Sequence, residues 1–87
     1  MKIAVWETYV KRSNGTIIHL DILVPIELKD QETIFNFGKH YLNTKPFETS
    51  QLTANECRLC HIEQATESII ASIKKNSYAI IEMENCH

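Results

Sequence analysis

The chain has 87 residues, 44% of them hydrophobic and 23% charged, which suits one globular domain, 1–87, near the smallest size that holds a core without staples. Nine basic residues against eleven acidic ones give a net charge of −2, and the longest basic run is Lys74-Lys75; without clustered cations to neutralise phosphates, neither nucleic acid nor an anionic membrane is expected as a partner. No stretch reaches the roughly 18 apolar residues of a membrane span, and Glu7 interrupts the N-terminal apolar run too early for a secretory core, so a cytoplasmic protein with reduced thiols is expected.

Residues 2–11 and 16–24 are rich in β-branched and aromatic side chains and read as two strands. Asn14-Gly15 between them is a hairpin signal, and Pro25 ends the second strand because proline cannot donate to a ladder. A two-residue loop would set Tyr9 against Leu20 and mix polar with apolar on both faces. A three-residue loop with Gly15 in the left-handed conformation instead pairs Val10 with Ile18, Thr8 with Leu20, Trp6 with Ile22 and Ala4 with Val24. That gives one apolar face, and burial of one face fixes register. The bulged loop is therefore expected. It gathers Glu7, Tyr9, His19 and Asp21 on the other face, with Glu7 directly across from Asp21, an unfavourable like-charge pair.

Asp30 is the expected N-cap of a helix over 31–43, in which Ile34, Phe37, Gly38, Tyr41 and Leu42 form one apolar stripe. The glycine in that stripe suggests close approach to the sheet. His40 is expected on the helix surface. Residues 43–55 are irregular, and Thr53-Ala54-Asn55-Glu56 carries a capping-box pattern that suggests a single helical turn. Residues 57–62 read as a third strand. Thr66 then caps a second helix to about Lys75, with Ile69, Ile70 and Ile73 inward and Asn76 as its left-handed terminal residue. Residues 77–84 form the last strand and 85–87 a short tail. The class is α+β in ββαβαβ order: an N-terminal β-hairpin in a mixed four-stranded sheet with two helices on one face.

Residues 56–63, Glu-Cys-Arg-Leu-Cys-His-Ile-Glu, concentrate the chemistry-bearing side chains. Cys57-Arg58-Leu59-Cys60-His61 has the spacing of c-type haem attachment, but that occurs in oxidising compartments and no export signal is present. Cys57, Cys60 and Cys86 with His61 or His87 would make a Cys3His set of the kind that holds structural zinc. Only the first half has knuckle spacing, and in a regular strand Cys57 and Cys60 point to opposite faces. A dithiol redox pair would need a helix N-terminus to depress a thiol pKa, and the helix begins several residues beyond Cys60. Small buried thiols are the plain alternative, and three cysteines is an odd number for a disulfide set. The second constellation, Glu7, Tyr9, His19 and Asp21, joins two carboxylates, a phenol and an imidazole on one face. This combination suits acid–base catalysis or an oxygen and nitrogen metal site. A solvated strand face is its plain alternative.

Several stretches occur together: Glu7-Thr8-Tyr9-Val10, His19-Leu20-Asp21-Ile22, Leu52-Thr53 before Glu56-Cys57, Cys60-His61-Ile62-Glu63, and Ile81-Glu82-Met83-Glu84-Asn85-Cys86. On these the chain resembles a small, mainly bacterial family, domain of unknown function twenty twenty-four, over nearly its whole length. The resemblance implies a compact α+β domain and no assigned activity. Members of that family often carry glycine where this chain has Asn76 and Asn85.

The sequence thus points to a binding or interaction module with no cofactor required. One alternative is a metal- or thiol-dependent protein centred on Cys57, Cys60 and His61, with Cys86 as a further ligand and zinc as the metal. Another is an acid–base enzyme using Glu7, Tyr9, His19 and Asp21. The small core leaves a homo-oligomer open without calling for one.

Overall fold

Gly15 sets the register of the whole sheet. In the computed structural model, which describes residues 1–49 and 57–86, its φ is 91°, a conformation that costs a residue with a Cβ but not glycine. The turn closes through the Arg12 amide donating to the Thr16 carbonyl at 2.8 Å. Asn14 Oδ1 accepts from the Thr16 amide at 3.0 Å, locking the loop from within. The strands on either side, β1 (Lys2–Lys11) and β2 (Ile17–Pro25), pair as the bulged loop requires. Val10 meets Ile18, Thr8 meets Leu20, Trp6 meets Ile22, Ala4 meets Val24 and Glu7 meets Asp21.

The remaining elements are α1 (Gln31–Leu42), β3 (Cys57–Gln64), α2 (Glu67–Asn76) and β4 (Ala79–Glu84), giving the ββαβαβ order of an α+β fold. β3 adds to the outer side of β1 and β4 to the outer side of β2, so the sheet order is β3-β1-β2-β4. Every neighbouring pair is antiparallel, where a mixed sheet was expected. β2 and β3 do run the same way, but β1 lies between them and no parallel neighbours arise.

The helices also depart from the expected placement on one face. α1 packs through Ile34 and Leu42 against Ala4, Val10, Ile18, Leu20, Ile22 and Val24. α2 packs through Ile73 and Ile69 against Ile3, Val5, Leu23 and Ala79, the residues that alternate with that set. Each helix therefore covers its own side. The physical reason is the unbroken apolar runs Ile3-Ala4-Val5-Trp6 and Ile22-Leu23-Val24. Strands apolar on both faces need cover on both, a pattern more familiar from parallel sheets. Ile3, Ile22, Leu23 and Val24 are fully buried, each worth about 1.5–3 kcal/mol of transfer free energy.

Thr66 caps α2, its hydroxyl accepting from the Ile69 amide. Asp30 starts α1 but bonds the Thr33 hydroxyl at 2.6 Å rather than a backbone amide. The left-handed residue after α2 is Ser77, at φ 77°, and not Asn76, which still belongs to the helix; Asn85 is left-handed at φ 58°. Ser77 in that conformation also delays β4 to Ala79. His40 is exposed on the helix, as expected, and its Nδ1 lies 2.8 Å from the hydroxyl of Tyr78, which in turn stacks on Phe37. The helical turn expected at 53–56 lies outside the described residues.

Candidate functional site

An irregularity in β3 decides what lies where. Val5 pairs with His61 and Trp6 with Leu59, so Cys60 is the extra residue of a β-bulge. Side chains alternate along a regular strand, and a single extra residue breaks that alternation. Leu59 and Ile62, which would otherwise oppose one another, now share the α1 side with Trp6 and Ala4. Cys60 and His61 both come to the α2 side, where the Cys60 thiol stands beside the Glu7 carboxylate.

The bulge thereby joins the two constellations read from the sequence. α2 covers only the Ile3, Val5 and Leu23 end of its face. Beyond it stand Glu7, Tyr9, His19 and Asp21, with Cys60, His61 and Glu63 along the β3 side. Tyr9 stacks on His19 with ring centroids 4.3 Å apart and donates its hydroxyl to Glu7. His19 Nε2 is 3.6 Å from Glu7 and 3.8 Å from Asp21. The imidazole between them and the guanidinium of Arg58, paired opposite Glu7, explain how the like-charged Glu7–Asp21 pair is tolerated. His61 Nε2 meets Glu63 at 3.0 Å, and its Nδ1 lies 3.3 Å from the Cys60 sulfur.

The carboxylates are driven in opposite directions. The Tyr9 hydroxyl, outweighing desolvation, holds Glu7 below its usual range, with Cys60, His19 and Arg58 adding to the effect. Burial raises Asp21, partly offset by His19. The Tyr9 phenol, donating to Glu7, is pushed up to about 12. Burial and the Glu7 charge raise the Cys60 thiol, the opposite of what an activated thiolate requires.

Of the expected zinc ligands, Cys60 and His61 adjoin one another, but Cys86 lies apart from both. Cys60 is exposed on the α2 side of β3. Cys86 is buried in the α1-side core, its thiol near the carbonyl oxygens of His19 and Glu84, with the sheet and β1 between it and Cys60. Cys57 begins β3 across from Thr8; its side chain, like His87, lies outside what is described. Among the described residues no group of three or more His, Cys, Asp or Glu is arranged to hold a metal ion.

On the α1 side the bulge creates a feature the sequence did not announce. Ala4, Trp6, Ile26, Leu28, Lys29, Leu59 and Ile62 line an apolar groove of about 370 Å³ between β3 and the turn after β2. Leu59 and Ile62 are 54% and 56% exposed along it. The indole nitrogen of Trp6 is buried with no hydrogen-bond partner among the described residues. Leu59 and Ile62 are three apart, a spacing that in a regular strand separates them. Only a bulge, which leaves no reliable mark in sequence, makes them neighbours.

Residues 1–83 match the family described as domain of unknown function, DUF2024. The chain belongs to that family. It is also similar to the NMR structure of protein NE1680 from Nitrosomonas europaea, a target of the Northeast Structural Genomics Consortium. The two are 37% identical and superpose with a TM-score of 0.85, covering the whole of both chains. No curated protein matches. In this DUF2024 protein the expected family and α+β class therefore hold, and no helix among the described residues is long and apolar enough to cross a membrane.

Proposed function

We propose that this DUF2024 protein is an interaction module, working in a bacterial cytosol, that receives apolar side chains of a partner protein along β3. The observation that carries this reading is the groove beside Leu59 and Ile62. Two large apolar side chains stay more than half exposed at a sheet edge, beside a cavity of apolar lining. Such exposed apolar surface marks sites of association. An edge strand offers backbone groups to an added strand, and neighbouring pockets select its side chains.

Trp6 is the only tryptophan, so its emission reports on the groove. Titration with anilinonaphthalene sulfonate should quench Trp6 through binding beside it. Leu59→Asp and Ile62→Asp, with unchanged far-UV circular dichroism, should each weaken that binding at least about tenfold, or about 1.4 kcal/mol. Equal binding by wild type and both variants would overturn the reading.

A second reading is acid–base chemistry at His19, favoured by its position between two carboxylates shifted in opposite directions, an arrangement that separates acid from base in enzymes. His19 and Asp21 share a face, as this reading needs. Diethylpyrocarbonate followed by peptide mass spectrometry should acylate His19. Acylation of His61 with His19 untouched would end it.

A further inference from the structure

Building on the interaction reading, we propose that the partner at this edge is a second copy of this chain, joined by antiparallel pairing of β3 with β3. The two-fold axis passes between Cys60 and His61. β3 pairs with β1 on one side and ends the sheet on the other, and Arg58 to Gln64 are all exposed.

A two-fold axis normal to a sheet returns every side chain to the face it started from. Residues that meet across the new edge must therefore already share a face. In a regular strand positions 59 and 62, or 58 and 63, never do. The bulge at Cys60 removes that barrier: Leu59 and Ile62 stand together on the α1 side. Arg58 and Glu63, opposite Glu7 and Ile3, stand together on the α2 side.

In the proposed register Leu59 meets Ile62 of the second copy, Arg58 meets Glu63, and Cys60 meets His61, each contact occurring twice. Apolar faces apolar and cation faces anion, the cross-strand pairs that stabilise sheets. Glu63 already takes His61 in its own chain, and a carboxylate has room for more than one donor. Shifting the register by one residue sets Arg58 against Ile62, or Leu59 against Glu63, pairs that lie on opposite faces. The pattern is therefore self-complementary in one register and not in its neighbours. In that register the grooves of the two copies run into one apolar strip.

An eight-residue edge makes a small interface, so association is reversible, within a range of about 1 μM to 1 mM. Sedimentation equilibrium of wild type should show the mass rising from 10.1 kDa toward twice that value over this range. Arg58→Glu sets Glu against Glu63, and Glu63→Arg sets Arg against Arg58. Each variant alone, folded by circular dichroism, should associate at least about tenfold more weakly. An equimolar mixture of the two restores both pairs and should regain wild-type association, as should the double variant R58E/E63R. Recovery in the mixture cannot come from misfolding, because it contains the same chains.

A wild type that stays at 10.1 kDa throughout, single variants that associate like wild type, or a mixture that fails to recover would each overturn the dimer. In the first case the bulge and the charges would instead guard the edge against pairing. If Trp6 quenching still depended on Leu59 and Ile62, the interaction reading would survive with a different partner. If that dependence were absent too, both would fall.

Discussion

Tyr9 donates its phenol to Glu7 and stacks on His19, and the hydrogen bond exists only while the phenol keeps its proton. Its pKa in the fold therefore stands above the unfolded one, at about 12 against an ordinary 10.0. The stability it contributes is whole below pH 10 and is lost as pH rises toward 12. Ultraviolet titration should resolve one tyrosine ionising near 12, and Glu7→Gln should move it back toward 10; a wild-type midpoint at 10 for every tyrosine would contradict the contact. The carboxylates give opposite signs. Glu7, held below its ordinary value, stabilises above the unfolded value of 4.5 and loses that contribution as pH falls through its folded value. Asp21, raised by burial, favours the fold below its unfolded value of 3.8 and loses that advantage as pH rises through its folded value. Asp21→Asn should accordingly raise the melting temperature above neutral pH, and Glu7→Gln should lower it.

The hairpin and the end of α2 are where single elements can be tested. Gly15 is left-handed with no atom within 4 Å of an added Cβ, so Gly15→Ala meets backbone strain alone. It should cost about 1–2 kcal/mol in urea denaturation, with Gly15→Asn costing less because asparagine tolerates this conformation. Ser77 occupies the same backbone region with a side chain. Ser77→Gly should therefore gain about 0.5–1 kcal/mol, the steric penalty outweighing the added freedom of the unfolded chain. If Ser77→Gly destabilises by that amount, the helix ends elsewhere than at Asn76.

Over the whole molecule the sheet is a wall with a helix on each side. Ile22 and Leu23 are consecutive, both fully buried, and belong to different cores. Ile22→Ala and Leu23→Ala should each cost about 2–5 kcal/mol, a large share of the 5–15 kcal/mol that holds a small domain. Were both helices on one face, Leu23→Ala would change little; equilibrium denaturation of the two variants settles which is true. α2 reaches only part of its side and stops short of Glu7, Tyr9, His19 and Asp21, of which His19 and Asp21 still keep only 17% of their side-chain surface exposed. Cluster and groove thus lie back to back across the β1–β3 edge.

The six elements, their order and the β1–β2 register were legible in the sequence, because Asn14-Gly15 is a local turn signal and only one register aligns the apolar residues around Trp6. From that register the company of Glu7, Tyr9, His19 and Asp21 followed. The sides taken by the helices depended on a contact between α2 and Leu23, far apart along the chain, although the apolar run Ile22-Leu23-Val24 already hinted at two cores. The grouping of Cys60 with Glu7, and of Leu59 with Ile62, was decided by tertiary structure alone. One unpaired residue in β3 changes which side chains share a face, and that slip comes from how β3 docks on β1, not from any preference local to Cys60.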